Sequence, residues 1–158
     1  MNSLNKTLDS IAKPFLGITP WLLRLSLGTS FFLHGYGKLP LPPQNLVKWF
    51  ESAGMPAPDL VATAVSVGEM GAGVGIILGG FFSNTLGNLL TRLSGGAVCV
   101  IMIGAFYLAH ADWFITAKLF KTEQIFLFTL GLYLSLIHIS EPTRLLSIAD
   151  AGVCLKKK

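Results

Sequence analysis

The long apolar run from Leu60 to Phe82 constrains this chain most, because Glu69 is its one charged residue. A helix needs about 20 mainly apolar residues to cross a bilayer. Charged residues make up only 13% of the chain, whereas a soluble domain carries about 25%. Similar apolar stretches occur at Trp21–Tyr36, at Leu93–His110 and from Gln124 onward. We therefore predict an all-α integral membrane protein, a four-helix transmembrane bundle with helices at about 21–37, 60–82, 93–110 and 124 onward.

The predicted connections differ in length and character. The first, Leu39 to Asp59, contains LPLPP, which cannot lie inside a helix. The segment QNLVKWFESAG follows, and it predicts a short interfacial helix that ends at Gly54. Trp49 in this helix is a residue type that concentrates at membrane–water boundaries. The second connection, Ser83 to Arg92, is predicted to be short and polar.

The two ends of the chain differ from the predicted membrane domain at 20–133. Residues 1–19 place Leu4, Leu8, Ile11 and Phe15 at helical spacing, which predicts an amphipathic N-terminal segment. Residues 134–158 begin with LSLIHISEPTR, which resembles a translated sequencing adapter, so we expect a non-native tail. Without this tail, eight basic and six acidic residues remain, and the formal net charge falls from +4 to +2. The basic character therefore indicates nothing about partners.

Five ionisable residues lie in or beside the predicted spans: Arg24, His34, Lys38, Glu69 and His110. A charge at the bilayer centre costs about 2.5–3.5 kcal/mol on the insertion scale, so such residues usually face the bundle interior. The direction of the chain puts all except Arg24 in the half of the bundle next to the first connection. We therefore predict that His34, Glu69 and His110 line a polar pocket there, with Arg24 near the opposite end.

Simpler interpretations stay open for most of these residues. The two histidines could be satisfied by water and headgroups at helix ends, and Lys38 and Arg24 could extend their charged ends to the membrane surface. Glu69 fits this interpretation least, because no basic residue lies three or four positions away on its own helix. Its carboxyl group must be protonated or paired with another helix.

Gly71, Gly75 and Gly79 recur at every fourth position of the second predicted span. Small residues at this spacing let two helix backbones approach closely. The pattern predicts either tight packing within one subunit or the interface of a homo-oligomer.

Other chemistry has little support in the sequence. The chain contains no CxxC, no HExxH and no phosphate-binding loop, so we predict no metal site. Cys99 lies in an apolar run without a nearby ligand set, and we interpret it as a core residue. Aromatic residues are scattered through the apolar runs, which does not favour nucleic-acid binding.

Several segments together resemble the DoxX family of small bacterial and archaeal membrane proteins. They are RLSLGTSFFLHGYGKL, the loop WFESAGMPAP, SVGEMGAGVGIILGGF and the helix end at Ala109-His110. The resemblance covers about Pro20 to Tyr133. It implies a multi-pass protein of the bacterial inner membrane. Its motif positions correspond here to catalytic candidates Glu69, His34 and His110 and to binding candidates Arg24, Gly35 and Lys38.

The resemblance also implies a functional class. Some relatives are described as small subunits of a thiosulfate:quinone oxidoreductase or a terminal quinol oxidase, and others are linked to oxidative-stress defence. The leading hypothesis is a subunit or accessory of a quinone-linked respiratory or thiol redox system, with quinone or quinol as cofactor and a redox protein as partner. The alternatives are a structural or partner-recruiting membrane subunit without catalysis, and a small transporter. Basic residues are balanced at four on each side, so the cytoplasmic N-terminus is expected from the resemblance alone.

Overall fold

The computed structural model describes residues 3–109 and 120–136, and within these ranges it contains helices and no β-strand. A 3-10 turn at Lys13–Phe15 follows the first helix. The α-helices are α1 (Ser3–Ala12), α2 (Thr19–Tyr36), α3 (Gln44–Ser52), α4 (Pro58–Phe81), α5 (Thr85–Ala109) and α6 (Glu123–Leu136).

Four helices share one apolar core. In sequence order, α2 packs on α4, α4 on α5 and α5 on α6, and α6 also touches α2. Each helix contributes side chains to the same buried cluster: Leu27 and Phe31, Ala72 and Ile76, Val98 and Met102, and Leu127 and Leu134. Residues far apart in the sequence are thereby brought to one interior.

The third long helix begins earlier than the sequence pattern predicted. It starts at Thr85 rather than near Leu93, so most of the predicted polar connection is helical. The side chain of Asn84 accepts a hydrogen bond from the backbone N–H of Gly87 at 3.1 Å, as a helix N-cap does. The prediction of a polar loop was wrong because Thr91, which looks polar in sequence, is buried within the helix group.

The short helix predicted in the first connection is α3. It ends with Gly54 in a left-handed conformation, φ 71°, and the backbone N–H of Met55 donates to the carbonyl of Phe50 at 3.0 Å. This is the hydrogen-bonded ending that glycine favours after a helix. Val47 and Phe50 of α3 pack on Ala62 of α4, which fixes the first connection over the side of the helix group.

Within residues 3–109 and 120–136, two helices are long and apolar enough to cross a membrane, judged by length and composition alone. They are Pro58–Phe81 and Thr85–Leu108, whereas Glu123–Leu136 is a shorter apolar helix. Large apolar side chains are exposed on the outer faces of both, among them Leu78, Val100 and Ile103. A membrane-spanning role for α2 and α6 stays a prediction.

The ends of the chain are only partly described. In the N-terminal segment, Leu4, Leu8, Ile11 and Phe15 are all exposed. At the other end, α6 continues through Leu136, and Leu134 is buried. The rest of the suspected tail, 137–158, lies outside the described residues, so the adapter interpretation stays an expectation.

Candidate functional site

The Glu69 carboxylate pairs with an ammonium group from another part of the chain. Glu69 lies near the midpoint of α4, and Lys38 follows the end of α2. Glu69 Oε2 accepts a hydrogen bond from Lys38 Nζ in an ion pair. The Glu69 side chain is 10% exposed and that of Lys38 is 27% exposed. Of the two states that the sequence allowed for Glu69, the structure shows the paired one, with a partner just beyond the end of α2.

A cavity of about 430 Å³ lies beside this pair, between α3, α4 and α5. Its wall is almost entirely apolar or aromatic, and Lys38 and Glu69 are the charged groups among its lining residues. Val100, 70% exposed, lies at its edge, so the cavity reaches the apolar exterior of the helix group. The apolar lining includes Trp49 and Phe50 on α3, Val61 and Val65 on α4, and Ile101 and Leu108 on α5.

A second, smaller cavity lies on another side of Glu69. Its volume is about 130 Å³, and its polar lining residues are His34, Glu69, Glu123 and Gln124. His34 Nε2 lies 3.3 Å from Glu123 Oε1, and both side chains are well exposed. Glu69 and Ala105 line both cavities, and Glu69 is the polar residue that the two cavities share.

The side-chain carbonyl oxygen of Gln124 is buried and has no hydrogen-bond partner in the part of the chain that the structure describes. Leaving a buried acceptor unpaired costs about 1–3 kcal/mol. An unsatisfied buried polar group in a native protein calls for an explanation. Gln124 lines the smaller cavity, so its oxygen can accept a hydrogen bond from a water molecule or ligand bound there.

Arg24 does not extend to the membrane surface. It is buried, and its Nη1 donates to the carbonyl of Ile76 at 3.1 Å and to Thr91 Oγ1 at 2.6 Å. The guanidinium therefore connects α2, α4 and α5. It lines neither cavity, and the structure places it among helix-joining groups, apart from the Lys38–Glu69 pair.

The glycines predicted to pack helices behave differently from one another. A Cβ on Gly75 would lie 2.2 Å from Ser94 Oγ, and one on Gly79 would lie 2.4 Å from Thr91 Oγ1, so both face α5 of the same chain. Gly71 is exposed, and a Cβ there would meet nothing within 4 Å. Gly71 therefore makes no helix contact within the described part of this chain, and its part in a homo-oligomer interface stays a prediction. Gly75 and Gly79 take part in packing within one subunit, and their side of α4 is covered by α5.

Gly35 was predicted as a binding residue, and the structure places it in a helix contact. A Cβ on Gly35 would lie 2.6 Å from the carbonyl oxygen of Ser66 and 2.8 Å from the backbone nitrogen of Met70. α2 and α4 approach as closely seven residues earlier on α2, where a Cβ on Gly28 would lie 2.8 Å from the carbonyl oxygen of Gly73. Because Gly35 has no side chain, α2 can bring His34 and Lys38 close to α4.

The remaining predicted residues divide as follows. His34, Lys38 and Glu69 are brought together, as chain direction predicted. His110 lies outside the described residues. Cys99 is buried, with its Sγ 3.9 Å from the carbonyl of Phe128. Within the described ranges, no group of three His, Cys, Asp or Glu residues could hold a metal ion.

Sequence reasoning missed two site residues, Glu123 and Gln124. Both lie in the first turn of α6, where an acidic side chain is favoured by the helix dipole. The signal was present, because two polar residues directly precede the apolar run IFLFTLGLYL. Only the packing of α6 against α2 and α5 shows that they line a cavity with His34 and Glu69.

Comparison with known proteins identifies the chain at family level. Residues 19–111 match the family model DoxX. No curated protein and no solved structure matches the chain. The match covers α2 to α5 and includes His34, Lys38 and Glu69, and the two long apolar helices agree with a membrane location. The chain therefore belongs to the DoxX family of membrane proteins.

Proposed function

We propose that this DoxX protein binds a quinone or quinol, as a subunit or accessory of a quinone-linked respiratory or thiol redox system. The observation that carries the proposal is the apolar cavity of about 430 Å³ whose charged lining groups are Lys38 and Glu69. Pockets for small organic molecules have volumes of roughly 300–1,000 Å³ and combine apolar walls with a few placed polar groups. The proposed setting is the bacterial inner membrane, with the N-terminus in the cytoplasm.

The lining residues fit both parts of such a molecule. The Lys38 ammonium has three donors and would donate a hydrogen bond to a ring carbonyl. The Glu69 carboxylate would accept a hydrogen bond from a ring hydroxyl. Trp49, Val61 and Ile101 would contact the ring faces and exclude water, which strengthens both polar contacts.

The protein's own chemistry in this proposal is proton handling and orientation. A bound quinone supplies two-electron redox chemistry, and a partner redox protein would supply or accept the electrons. Lys38 holds a proton at Nζ beside the cavity, and Glu69 Oε2 accepts a hydrogen bond from it. The pair can therefore orient a headgroup and exchange a proton with it without a change in the helix backbone.

A structural membrane subunit is the second candidate, and one observation favours it. Lys38 and Glu69 satisfy each other within the chain, so the ion pair could serve only to hold α2 against α4. The same binding experiment separates the two candidates, because a purely structural pair has no ligand affinity.

The test is binding of a short-chain quinone to the protein in lipid nanodiscs, followed by quenching of tryptophan fluorescence. Trp49 lines the cavity, so quenching should be lost in Trp49→Phe. Lys38→Met should weaken binding of the quinone about tenfold, and Glu69→Gln should weaken binding of the corresponding quinol about tenfold, because each removes one hydrogen bond to a polar headgroup. Lys48→Met is the matched control, because Lys48 is exposed on α3 and does not line the cavity.

A cavity-filling variant tests the same site without altering the ion pair. A Cβ on Gly104 would meet nothing within 4 Å, and Gly104 lines the cavity. Gly104→Leu should therefore fold normally and abolish quinone binding. Unchanged affinity in Lys38→Met, Glu69→Gln and Gly104→Leu would overturn the proposal and leave the structural candidate.

A further inference from the structure

The smaller cavity is the polar counterpart of the proposed quinone cavity. It lies where α2, α4, α5 and α6 meet, and it shares Glu69 with the larger cavity. Half of its lining residues carry polar side chains, namely His34, Glu69, Glu123 and Gln124. The larger cavity is lined instead by apolar and aromatic side chains. The two cavities therefore suit different occupants.

The unpartnered carbonyl oxygen of Gln124 indicates what suits the smaller one. This oxygen is buried and has no partner among residues 3–109 and 120–136. Water molecules commonly satisfy such groups, provided that the space is polar and has room for them. The cavity measures about 130 Å³, and one water molecule takes about 30 Å³ of liquid volume. Several water molecules fit there, with imidazole, carboxylate and amide groups to bind them.

The exposed fraction of the polar side chains decreases along the cavity wall, from Glu123 to His34 to Glu69. The side chains of Glu123 and His34 are 62% and 44% exposed, whereas that of Glu69 is 10% exposed. The outer pair can exchange protons with the surroundings, and Glu69 cannot do so directly. Gln124 lies on the same wall, so its unpartnered oxygen can hold a water molecule along the route to Glu69.

We propose that this cavity is a hydrated proton path that connects the exposed His34–Glu123 pair with the Glu69 carboxylate. In the inward step, protonated His34 gives its ring proton to water in the cavity, and water gives a proton to Glu69. The step leaves neutral imidazole and a carboxylic acid, with no net change in the water. Lys38 contacts Glu69 from the side of the larger cavity, while Met102 and Ala105 are the lining residues from α5.

This inference deepens the proposed function, because it would supply protons to the Lys38–Glu69 pair at the quinone cavity. It does not need a quinone to be tested. A proton path is a property of the cavity and of Glu69, so its measurement can succeed where quinone binding fails.

The experiment follows the protonation of Glu69 after an acid pH jump, with time-resolved infrared spectroscopy of the carboxyl C=O stretch. The Glu69→Gln protein identifies which band belongs to Glu69. Gln124→Leu should slow the appearance of this band about tenfold, the effect of one lost hydrogen bond on a barrier. Gln44→Leu is the matched control, because Gln44 is exposed and does not line the cavity. Equal rates in the two leucine variants would overturn the proposal.

A second measurement covers the case in which Gln124→Leu does not fold. Met102 lines only the smaller cavity, and Ile103 is 55% exposed on the apolar exterior and lines neither cavity. Met102→Cys and Ile103→Cys are compared for reaction with Ag⁺, in a background with Cys99→Ala and Cys154→Ala. Ag⁺ is small enough to enter a water-filled cavity, and it reacts with thiolates. If the smaller cavity is hydrated, the thiol of Met102→Cys should therefore react faster than that of Ile103→Cys. A faster reaction of Ile103→Cys would contradict a hydrated cavity.

The two proposals fail in distinguishable ways. Gln124→Leu should bind the quinone with unchanged affinity, because Gln124 does not line the larger cavity. Slow protonation of Glu69 without any quinone binding would remove the proposed function and keep the proton path. Quinone binding with an unchanged protonation rate would do the reverse.

Discussion

Arg24 shows how a single buried charge can join three helices. Its guanidinium reaches from α2 to a backbone carbonyl on α4 and a hydroxyl on α5. The Ile76 carbonyl can accept this extra bond because a carbonyl oxygen has two lone pairs. A planar guanidinium suits the task, since it presents several donors in fixed directions. Arg24 is therefore a structural residue of the helix group, separate from the Lys38–Glu69 pair.

Arg24→Gln should destabilise the protein by about 1.5–3 kcal/mol, the usual worth of hydrogen bonds made by a charged group. Reversible unfolding in detergent measures the loss. Arg92→Gln is the matched control, because Arg92 is exposed and donates to the Ser135 carbonyl; its effect should be about 0.5 kcal/mol or less. A double-mutant cycle of Arg24→Gln with Thr91→Val should show coupling. Additive effects would mean that the bond to Thr91 contributes nothing.

At the scale of helices, α2 and α4 are held by an antiparallel series of small residues. Gly28 on α2 opposes Gly73 on α4. Seven residues later on α2, Gly35 opposes Ser66, which lies seven residues before Gly73 on α4. The Ser66 hydroxyl donates to the carbonyl of Ala62 at 2.8 Å on its own helix, so it takes little space between the helices. This close approach brings the end of α2, with His34 and Lys38, against Glu69.

Gly73→Ala should destabilise the helix pair by about 1–3 kcal/mol, the usual cost of overpacking. Its Cβ would lie 2.5 Å from the Gly28 carbonyl oxygen and 2.6 Å from the Phe32 nitrogen, and backbone atoms cannot move aside cheaply. Gly71→Ala lies two positions away on the same helix and meets nothing within 4 Å. It should be neutral or stabilising, because alanine favours helix over glycine. Thermal unfolding in one detergent compares them, and equal midpoints would contradict the proposed crossing.

For the whole molecule, apolar side chains occur both inside and outside. Phe31, Ile76 and Val98 form the shared core, whereas Leu78, Val100 and Ile103 are exposed. A soluble protein rarely exposes extended apolar faces. In a bilayer these faces contact lipid chains, whereas the Glu69 side chain lies between helices and is only 10% exposed. The arrangement agrees with a membrane protein of the DoxX family.

Ile103→Arg should reduce membrane insertion, because an arginine inside a span is costly, by about 2.5–3.5 kcal/mol on the insertion scale at the span centre and by less toward its ends. Ile103 is exposed on α5, so the substituted side chain would face lipid. The measurement is the fraction of chain that resists alkaline extraction from membranes. Ser83→Arg, in the exposed turn between α4 and α5, should leave that fraction unchanged. Full insertion of both variants would argue that this face of α5 is not in contact with lipid.

The order of residues was enough to predict the helical class, the approximate positions of the long apolar helices and the family. Periodicity and length are local properties, so α2, α3 and α4 could be predicted closely from the order of residues. Chain direction also brought His34, Lys38 and Glu69 to one region, since alternate helices return to the same side. The start of α5 could not be predicted in this way, because Thr91 looks exposed until α4 covers it.

Tertiary structure alone decided which neighbours each side chain has. Helices of similar period can pack at many rotations, and the sequence does not state which face meets which. Packing made Arg24 a connector of three helices, separated Gly71 from Gly75, and brought Glu123 and Gln124 to Glu69. It also formed two cavities that share one carboxylate. A cavity is the space that several helices leave together, so no single segment of sequence can specify it.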